Sequence, residues 1–171
     1  MPQIRRYRET DWDAFVALDI DTGLLTLRYA TEGERLAFQQ RWPTVLRDRY
    51  RWSADGPGID KGVVYVLEDD DGTYAGHLWL SEQDDMLTGI TRLWVTTVAI
   101  VPRYRSRGWG RLLMERAEEE ARSRALPSIG LSVDADNVVA RKLYEEMGFQ
   151  TVRLRMVKGL QATPSRRPPG T

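Results

Sequence analysis

Apolar positions along the chain fall into two regimes that change near Val63. Before it the spacing is helical. Trp12, Phe15, Val16 and Ile20 recur about every third or fourth residue, with Ala14 and Leu18 between them. Thr10 and Asp11 place capping chemistry just ahead of that run. A second helical stretch is predicted over residues 32–50, on the less regular apolar set Leu36, Phe38, Trp42, Val45 and Leu46. Pro43 should break or kink it, because proline lacks the amide that an interior turn needs. The mixed segment 3–8 reads as an edge strand, and residues 53–62, with Asp55-Gly56-Pro57-Gly58, as a loop.

From Val63 onward β-branched and aromatic residues dominate. Residues 63–68 and 74–81 read as two strands of a hairpin around a turn at 69–72. An acidic connection is expected over 82–89. A third strand, central in character, follows over 91–101 and stops at Pro102. Residues 108–124 carry Leu112, Leu113, Ala117 and Ala121 on one helical side. Glu118–Arg122 and Glu120–Arg124 form i,i+4 pairs on the wet side, each worth a few tenths of about 1 kcal/mol. A short strand (128–133), a helix capped by Asp136 (137–147), a glycine stop at Gly148 and a last strand (149–157) complete the pattern. Residues 164–171 hold three prolines and two arginines, and a disordered tail is expected over 161–171. The order predicts one α/β domain over 1–160: a mixed sheet with helices packed on it.

A length of 171 residues suffices for one buried core without covalent staples. Cysteine is absent, which excludes a disulfide framework, a thiolate metal site and a cysteine nucleophile. His77 is the single histidine, so neither a histidine-rich metal site nor a histidine relay is expected. The charges cancel, 25 against 25, leaving no bulk attraction to nucleic acid or to an anionic membrane. No apolar run approaches the roughly 20 residues of a membrane span, and the first residues lack the apolar stretch of a secretion signal. These features predict a cytoplasmic enzyme or binding domain.

Two stretches carry chemistry. In the first, the strand ending at Val98-Ala99-Ile100-Val101 meets Pro102, then a basic loop, then Arg105-Ser106-Arg107-Gly108-Trp109-Gly110-Arg111 at the start of a helix. A helix start offers unpaired amides and the positive end of the macrodipole. Glycine lets a ligand approach the backbone closely. Arg103, Arg105, Arg107 and Arg111 crowd the same turn and should repel unless a polyanion such as a pyrophosphate joins them. A glycine turn with solvated arginines is the plainer alternative. The second stretch has Asn137, Ala140, Tyr144, Gly148 and Phe149 in fixed spacing. Alone, it is a capped helix with core positions at Val139, Leu143 and Met147.

Together the two stretches resemble the GCN5-related N-acetyltransferase (GNAT) superfamily. The first is similar to its Q/R-x-x-G-x-G/A cofactor motif, and the second to its Asn-x-x-Ala-x-x-x-Tyr-x-x-x-Gly-Phe segment. The resemblance covers residues 91–157 and, by element order, reaches back to about residue 3. It implies a mostly antiparallel sheet with one splayed strand pair, helices on both faces, and acetyl-CoA as acyl donor. It further implies that the backbone of Val98, Ala99 and Ile100 binds the pantetheine arm and that the amides of 105–111 bind the pyrophosphate. Asn137 would touch the CoA arm. The Ile100 amide would face the developing oxyanion, and Tyr144 would protonate the departing thiolate. A phenol near pKa 10 can donate to a thiolate whose acid lies near 8.5.

The acceptor implied is a small-molecule or peptide primary amine. It would attack directly in a ternary complex, since no cysteine is available to carry an acyl group. Dimers are common in the family, which leaves a homodimer open. The sequence departs from the family where many relatives place a base: Trp94 to Ile100 contain no carboxylate. The remaining candidates are Glu82 first, then Asp84, Asp85 and His77, with Thr96 or Thr97 positioning a water. Trp79 and Trp94 either line an acceptor pocket or pack in the core, and Trp109 is expected to pack sideways. A non-catalytic acyl-CoA-binding module on the same fold is the rival reading. A dinucleotide or ATP site is disfavoured because the glycine loop lacks the full spacing of either motif.

Overall fold

The computed structural model describes residues 1–158 except 28–29, 86–87 and 157; residues 159–171 are likewise not described, so the expected tail lies outside the described residues. Among the described residues five strands form one sheet in the order β1-β2-β3-β4-β5. They are β1 (Gln3–Arg6), β2 (Val63–Glu68), β3 (Tyr74–Asp84), β4 (Thr91–Ile100) and β5 (Ile129–Leu131). The first four pair antiparallel and β5 joins β4 in parallel. Among the described residues four α-helices accompany them: α1 (Trp12–Thr26), α2 (Glu32–Arg49), α3 (Trp109–Ser123) and α4 (Val138–Glu146). This is the mixed α/β architecture expected from the element order.

β2 shows how the sheet acquires two buried faces. Val63, Tyr65 and Leu67 join the core beneath α3, whereas Val64 and Val66 join the core beneath α1 and α2. Side chains alternate along a strand, so an unbroken apolar run along a strand requires cover on both faces. On one face Leu78, Leu80, Leu93 and Val95 meet Leu113, Met114, Ala117 and Ala121 of α3. On the other, Phe15, Val16, Leu46, Trp52 and Trp79 pack together. α2 begins with a reciprocal capping box between Thr31 and Glu34 and runs through Pro43 without ending.

Two expectations are corrected. The acidic connection begins later than Glu82, because β3 continues to Asp84 in register with β4. The last strand predicted over 149–157 is absent from its described part: residues 149–156 contain no strand and 150–156 are exposed. Alternation alone makes no strand; a ladder partner is required.

Candidate active site

β4 is the element around which the site is organised. In an antiparallel ladder, successive residues direct their amides alternately toward and away from the neighbour. The Val101 amide donates to the Ala75 carbonyl at 2.9 Å. Since Ile100 faces Gly76 and Val98 faces Leu78 in register, the amides of Val98 and Ile100 turn away from β3. Their other side borders β5, but β5 pairs only with Leu93, Trp94 and Val95. Beyond that point the two parallel strands part, and the backbone edge of Val98 and Ile100 faces the gap. The register slips between Trp79 and Leu80, which leaves Thr96 as the extra residue of a bulge.

The basic loop is anchored from below. A single 3-10 turn (Pro102–Tyr104) ends on the buried Tyr104. Its ring stacks on Trp109 with centroids 5.1 Å apart, and its hydroxyl donates to Asp69 Oδ2 at 2.5 Å. That hydrogen bond, with one from the Thr73 amide, holds the Asp69 carboxyl below its ordinary value. Trp109 therefore packs sideways against the loop. Ser106 (φ 61°) and Gly108 (φ 79°) both adopt the left-handed conformation, and Gly108 caps α3. Such a turn leads the chain into the helix with the first amides of α3 lacking intrahelical partners.

The arginines are less crowded than the sequence implied. Arg111 pairs with Glu146 at 2.7 Å, and Arg105 Nε donates to the Ile100 carbonyl at 3.0 Å. The Arg107 guanidinium lies over the Tyr104 and Trp109 rings and reaches the Arg103 carbonyl. Protein partners spread these cations, so their proximity alone does not demand a polyanion.

α4 borders the same gap. Asn137 Oδ1 accepts the Ala140 amide at 3.2 Å and caps the helix, and Gly148 (φ 87°) terminates it. A Cβ on Gly110 would sit 3.5 Å from a Leu143 methyl, so α4 leans on the first turn of α3. Tyr144 is half-buried and packs, with Val98, Ile100, Trp109 and Leu131, against the core beneath α3. Its ring lies 5.8 Å from that of Phe149. Among the described residues its hydroxyl has no hydrogen-bond partner, and burial pushes its pKa up. It is therefore a protonated, uncommitted donor at neutral pH.

Glu82 is placed elsewhere. Lys61 Nζ donates to it at 2.8 Å and Arg124 Nη1 at 3.1 Å, and these hydrogen bonds hold its carboxyl below its ordinary value. Arg124 sits at the C-terminal end of α3, roughly 20 Å along the helix from the basic loop. Glu82 is thus not brought to the gap, because strand alternation turns it toward the foot of α3 and two cations hold it there. Asp84 accepts the Thr91 hydroxyl, and Asp85 accepts the Thr88 amide, both at the β3–β4 turn. His77 is fully buried. Its Nδ1 lies 2.6 Å from the Tyr74 hydroxyl and its Nε2 lies 3.6 Å from Asp19 Oδ1, which fits a histidine of the core.

On the other face of β3 and β4 a pocket of about 190 Å³ opens beside the bulge. Arg49 and Tyr50, at the end of α2, line it with Asp60, Trp79, Ser81, Gln83 and Thr96. The Ser81 and Thr96 hydroxyls lie 3.1 Å apart, and Gln83 reaches Ser81 at 3.4 Å. Of the two tryptophans expected near an acceptor, Trp79 lines this pocket. Trp94 instead covers Gly130, where a Cβ would lie 2.5 Å from its ring. Sequence reasoning missed Asp60 and Ser81. Strand alternation from Trp79 could have found Ser81, but nothing in the sequence ties Asp60 to the site; Arg49 belongs to the 32–50 helical region that the family resemblance sets over the acceptor side.

The description "Acetyltransferase (GNAT) family" belongs to the family model that matches residues 27–149. A mycothiol acetyltransferase from Beutenbergia cavernae is 31% identical over 103 residues, which cover 60% of this chain and 33% of that protein. The chain thus spans about a third of the length of that curated relative. A putative acetyl transferase from Pyrococcus furiosus superposes with a TM-score of 0.77 at 22% identity, covering 94% of this chain and 100% of that one. AAC(6')-Iy, solved in complex with the bisubstrate analogue CoA-S-monomethyl-acetylneamine, superposes with a TM-score of 0.63 at 13% identity, covering 95% of this chain and 99% of that one.

Proposed function

The chain belongs to the acetyltransferase (GNAT) family, and from that premise we propose that it transfers the acetyl group of acetyl-CoA to a primary amine by direct attack. The observation that carries this reading is the parting of β4 and β5 after Val95, with the half-buried hydroxyl of Tyr144 against the same core. The amides of Val98 and Ile100, free of β3, supply an added-strand edge for the pantetheine arm. The backbone amides between Arg105 and Arg111, with the N-terminus of α3, supply the pyrophosphate cradle. Asn137 still has its side-chain NH₂ to offer the CoA arm after capping α4 with its oxygen.

In the reaction the neutral amine nitrogen attacks the thioester carbonyl, a C–N bond forms and the C–S bond breaks. The Ile100 amide faces the oxygen on which negative charge develops, a fixed dipole that needs no reorganisation. Tyr144 gives its proton to the departing sulfur and recovers one from solvent. The ammonium proton leaves by a water bound at the Thr96 hydroxyl, which Ser81 orients, on the side of the pocket lined by Tyr50 and Trp79. No carboxylate among Trp94 to Ile100 and none released from Glu82 is used.

The test is thiol release from acetyl-CoA across an amine panel. Turnover with at least one amine, lost in Tyr144→Phe while acetyl-CoA still raises the melting temperature, supports the proposal. The pairing of Glu82 with Lys61 and Arg124 favours one rival, a non-catalytic acyl-CoA-binding module. Tight acetyl-CoA binding with no thiol release for any amine would establish the rival.

A further inference from the structure

The pocket beside the bulge carries two opposite charges that do not meet. Arg49 and Asp60 both line it, no ion pair joins them, and among the described residues neither side chain has a hydrogen-bonding or ionic partner. Their neighbours in the chain do not neutralise them. Lys61, next to Asp60, is taken by Glu82 at 2.8 Å. Asp48 precedes Arg49, but adjacent residues of a helix do not face each other. Asp60 is fixed through its backbone: the Glu82 amide donates to its carbonyl at 2.7 Å. Its φ of 51°, followed by 45° at Lys61, is a left-handed turn that residues other than glycine adopt only where the surroundings enforce it. Arg49 and Asp60 are exposed, whereas Trp79 and Ser81 are buried, so the charges stand at the mouth and the indole and hydroxyl on the floor. Trp79 is 2% exposed, and its Nε1 has no hydrogen-bond partner among the described residues. Buried donors are nearly always paired, so this wall also lacks an acceptor.

A mouth of one cation and one anion fits a zwitterion. A neutral amine would leave both side chains without a partner. A polyamine or other polycation would satisfy Asp60 and be repelled by Arg49. The volume of about 190 Å³ lies below the roughly 300–1,000 Å³ of sites for drug-sized ligands, so the occupant is small. We propose that the acceptor is a free amino acid whose carboxylate is bound by Arg49 and whose ammonium end is drawn in by Asp60. The inference rests on acetyl transfer at this pocket and names its substrate class. A guanidinium fork matches a carboxylate with two parallel hydrogen bonds, which makes Arg49 the specificity-determining residue. The amine gives its proton to the water at Thr96, its nitrogen takes the acetyl group, and CoA leaves as the thiol. The product is a neutral amide at that nitrogen, so it loses its hold on Asp60 and keeps only Arg49, which favours release.

Isothermal titration into the full chain saturated with CoA compares each common α-amino acid with its carboxamide and its decarboxylated amine. Spermidine and a short peptide amide complete the set, and thiol release from acetyl-CoA is read on the same compounds. At least one amino acid should bind about 10–100-fold more tightly than its carboxamide. In Arg49→Gln that ratio should fall to about one, because the charge-assisted pair is gone. Asp60→Asn should weaken the amino acid and its carboxamide alike and keep the ratio, since both carry the ammonium. Both side chains are exposed, so both variants should melt with the wild type. Equal binding of acid and carboxamide, a ratio that survives Arg49→Gln, or a preference for spermidine or the peptide amide over every amino acid would overturn the proposal, while turnover of any amine would still support acetyl transfer. An Arg49-dependent preference for the acid with no thiol release would support the pocket's selectivity and overturn acetyl transfer, so the two readings fail separately.

Discussion

Gly76→Ala probes the strand that presents the site. A Cβ on Gly76 would lie 2.4 Å from the Ala99 carbonyl oxygen, 3.0 Å from Ile100 Cδ1 and 3.3 Å from Ile100 Cα. Carbon and oxygen settle at about 3.3 Å even in their closest favourable contacts, so the shortfall is about 0.9 Å. The Ile100 side chain can swing away, but the Ala99 oxygen is backbone at the centre of the sheet. Relief requires β3 and β4 to separate locally. Overpacking of that kind costs about 1–3 kcal/mol, and one or two weakened ladder bonds add about 1 kcal/mol. For a chain of this size each kcal/mol moves the melting temperature by about 2–4 °C, so the total of about 2–4 kcal/mol predicts a fall of roughly 4–16 °C. The displaced residues include Ile100, and a shift near 1 Å in a positioned group can cost about 100-fold in rate.

Differential scanning calorimetry and thiol release on the same preparation read both effects. Gly33→Ala, in the first turn of α2 with nothing within 4 Å of the new Cβ, is the control. It should be neutral or stabilising by up to about 1 kcal/mol. A Gly76→Ala protein that melts within about 1 °C of wild type would refute the packing argument. One that melts early but keeps full turnover would refute the link from β3 to Ile100.

Three further outcomes are expected. Tyr144→Phe should lower kcat by about 10²-fold or more, and because burial raises the hydroxyl pKa above its ordinary 10, the wild-type rate should show no alkaline fall from this group below pH 10. Glu82→Gln should leave turnover within about twofold, whereas removing a positioned base costs about 10²–10⁴-fold. Its carboxyl pKa is lowered by Lys61 and then Arg124 from 4.5. The stability Glu82 adds is therefore full above that value and lost as pH falls through the lowered one, so the gap in urea midpoint between wild type and Glu82→Gln should be open at pH 7 and close in acid. Asn137→Ala should destabilise by about 1 kcal/mol through loss of the α4 cap; Asn137→Asp should restore the urea midpoint but weaken acetyl-CoA binding, since it keeps the capping oxygen and loses the NH₂.

What the sequence made legible divides along a physical line. Local signals hold to within a residue: the glycine entry to α3 and the dense β-branched run of β4 encode their own geometry, and α4 starts where a cap is expected, although Asn137 and not Asp136 supplies it, because it is the Asn137 side chain that reaches the Ala140 amide. Features made by residues far apart in the chain were not. The clamp from Tyr104 to Asp69 spans 35 positions, and no periodicity announces it. Glu82 has the charge of a base and a place near a hairpin end, but its fate is decided by Lys61 and Arg124. Repulsion among the loop arginines was overstated because Glu146 and the Ile100 carbonyl are invisible neighbours in a linear reading. The strand expected at 149–157 had the correct alternation, and the missing ingredient was a partner, which alternation cannot supply.

The bulge at Thr96 works like a half-step in a staircase. Leu93 and Val95 point under α3 from odd positions, whereas Val98 and Ile100 reach the same side from even ones. One inserted residue thus flips the strand's parity midway without surrendering its grip on the core. Excising Thr96 would force a choice: keep the upper half buried and shear the hairpin, or keep the hairpin and rotate every outward amide by one place. A single uncounted residue thereby fixes which peptide bonds the outer half of β4 has to give.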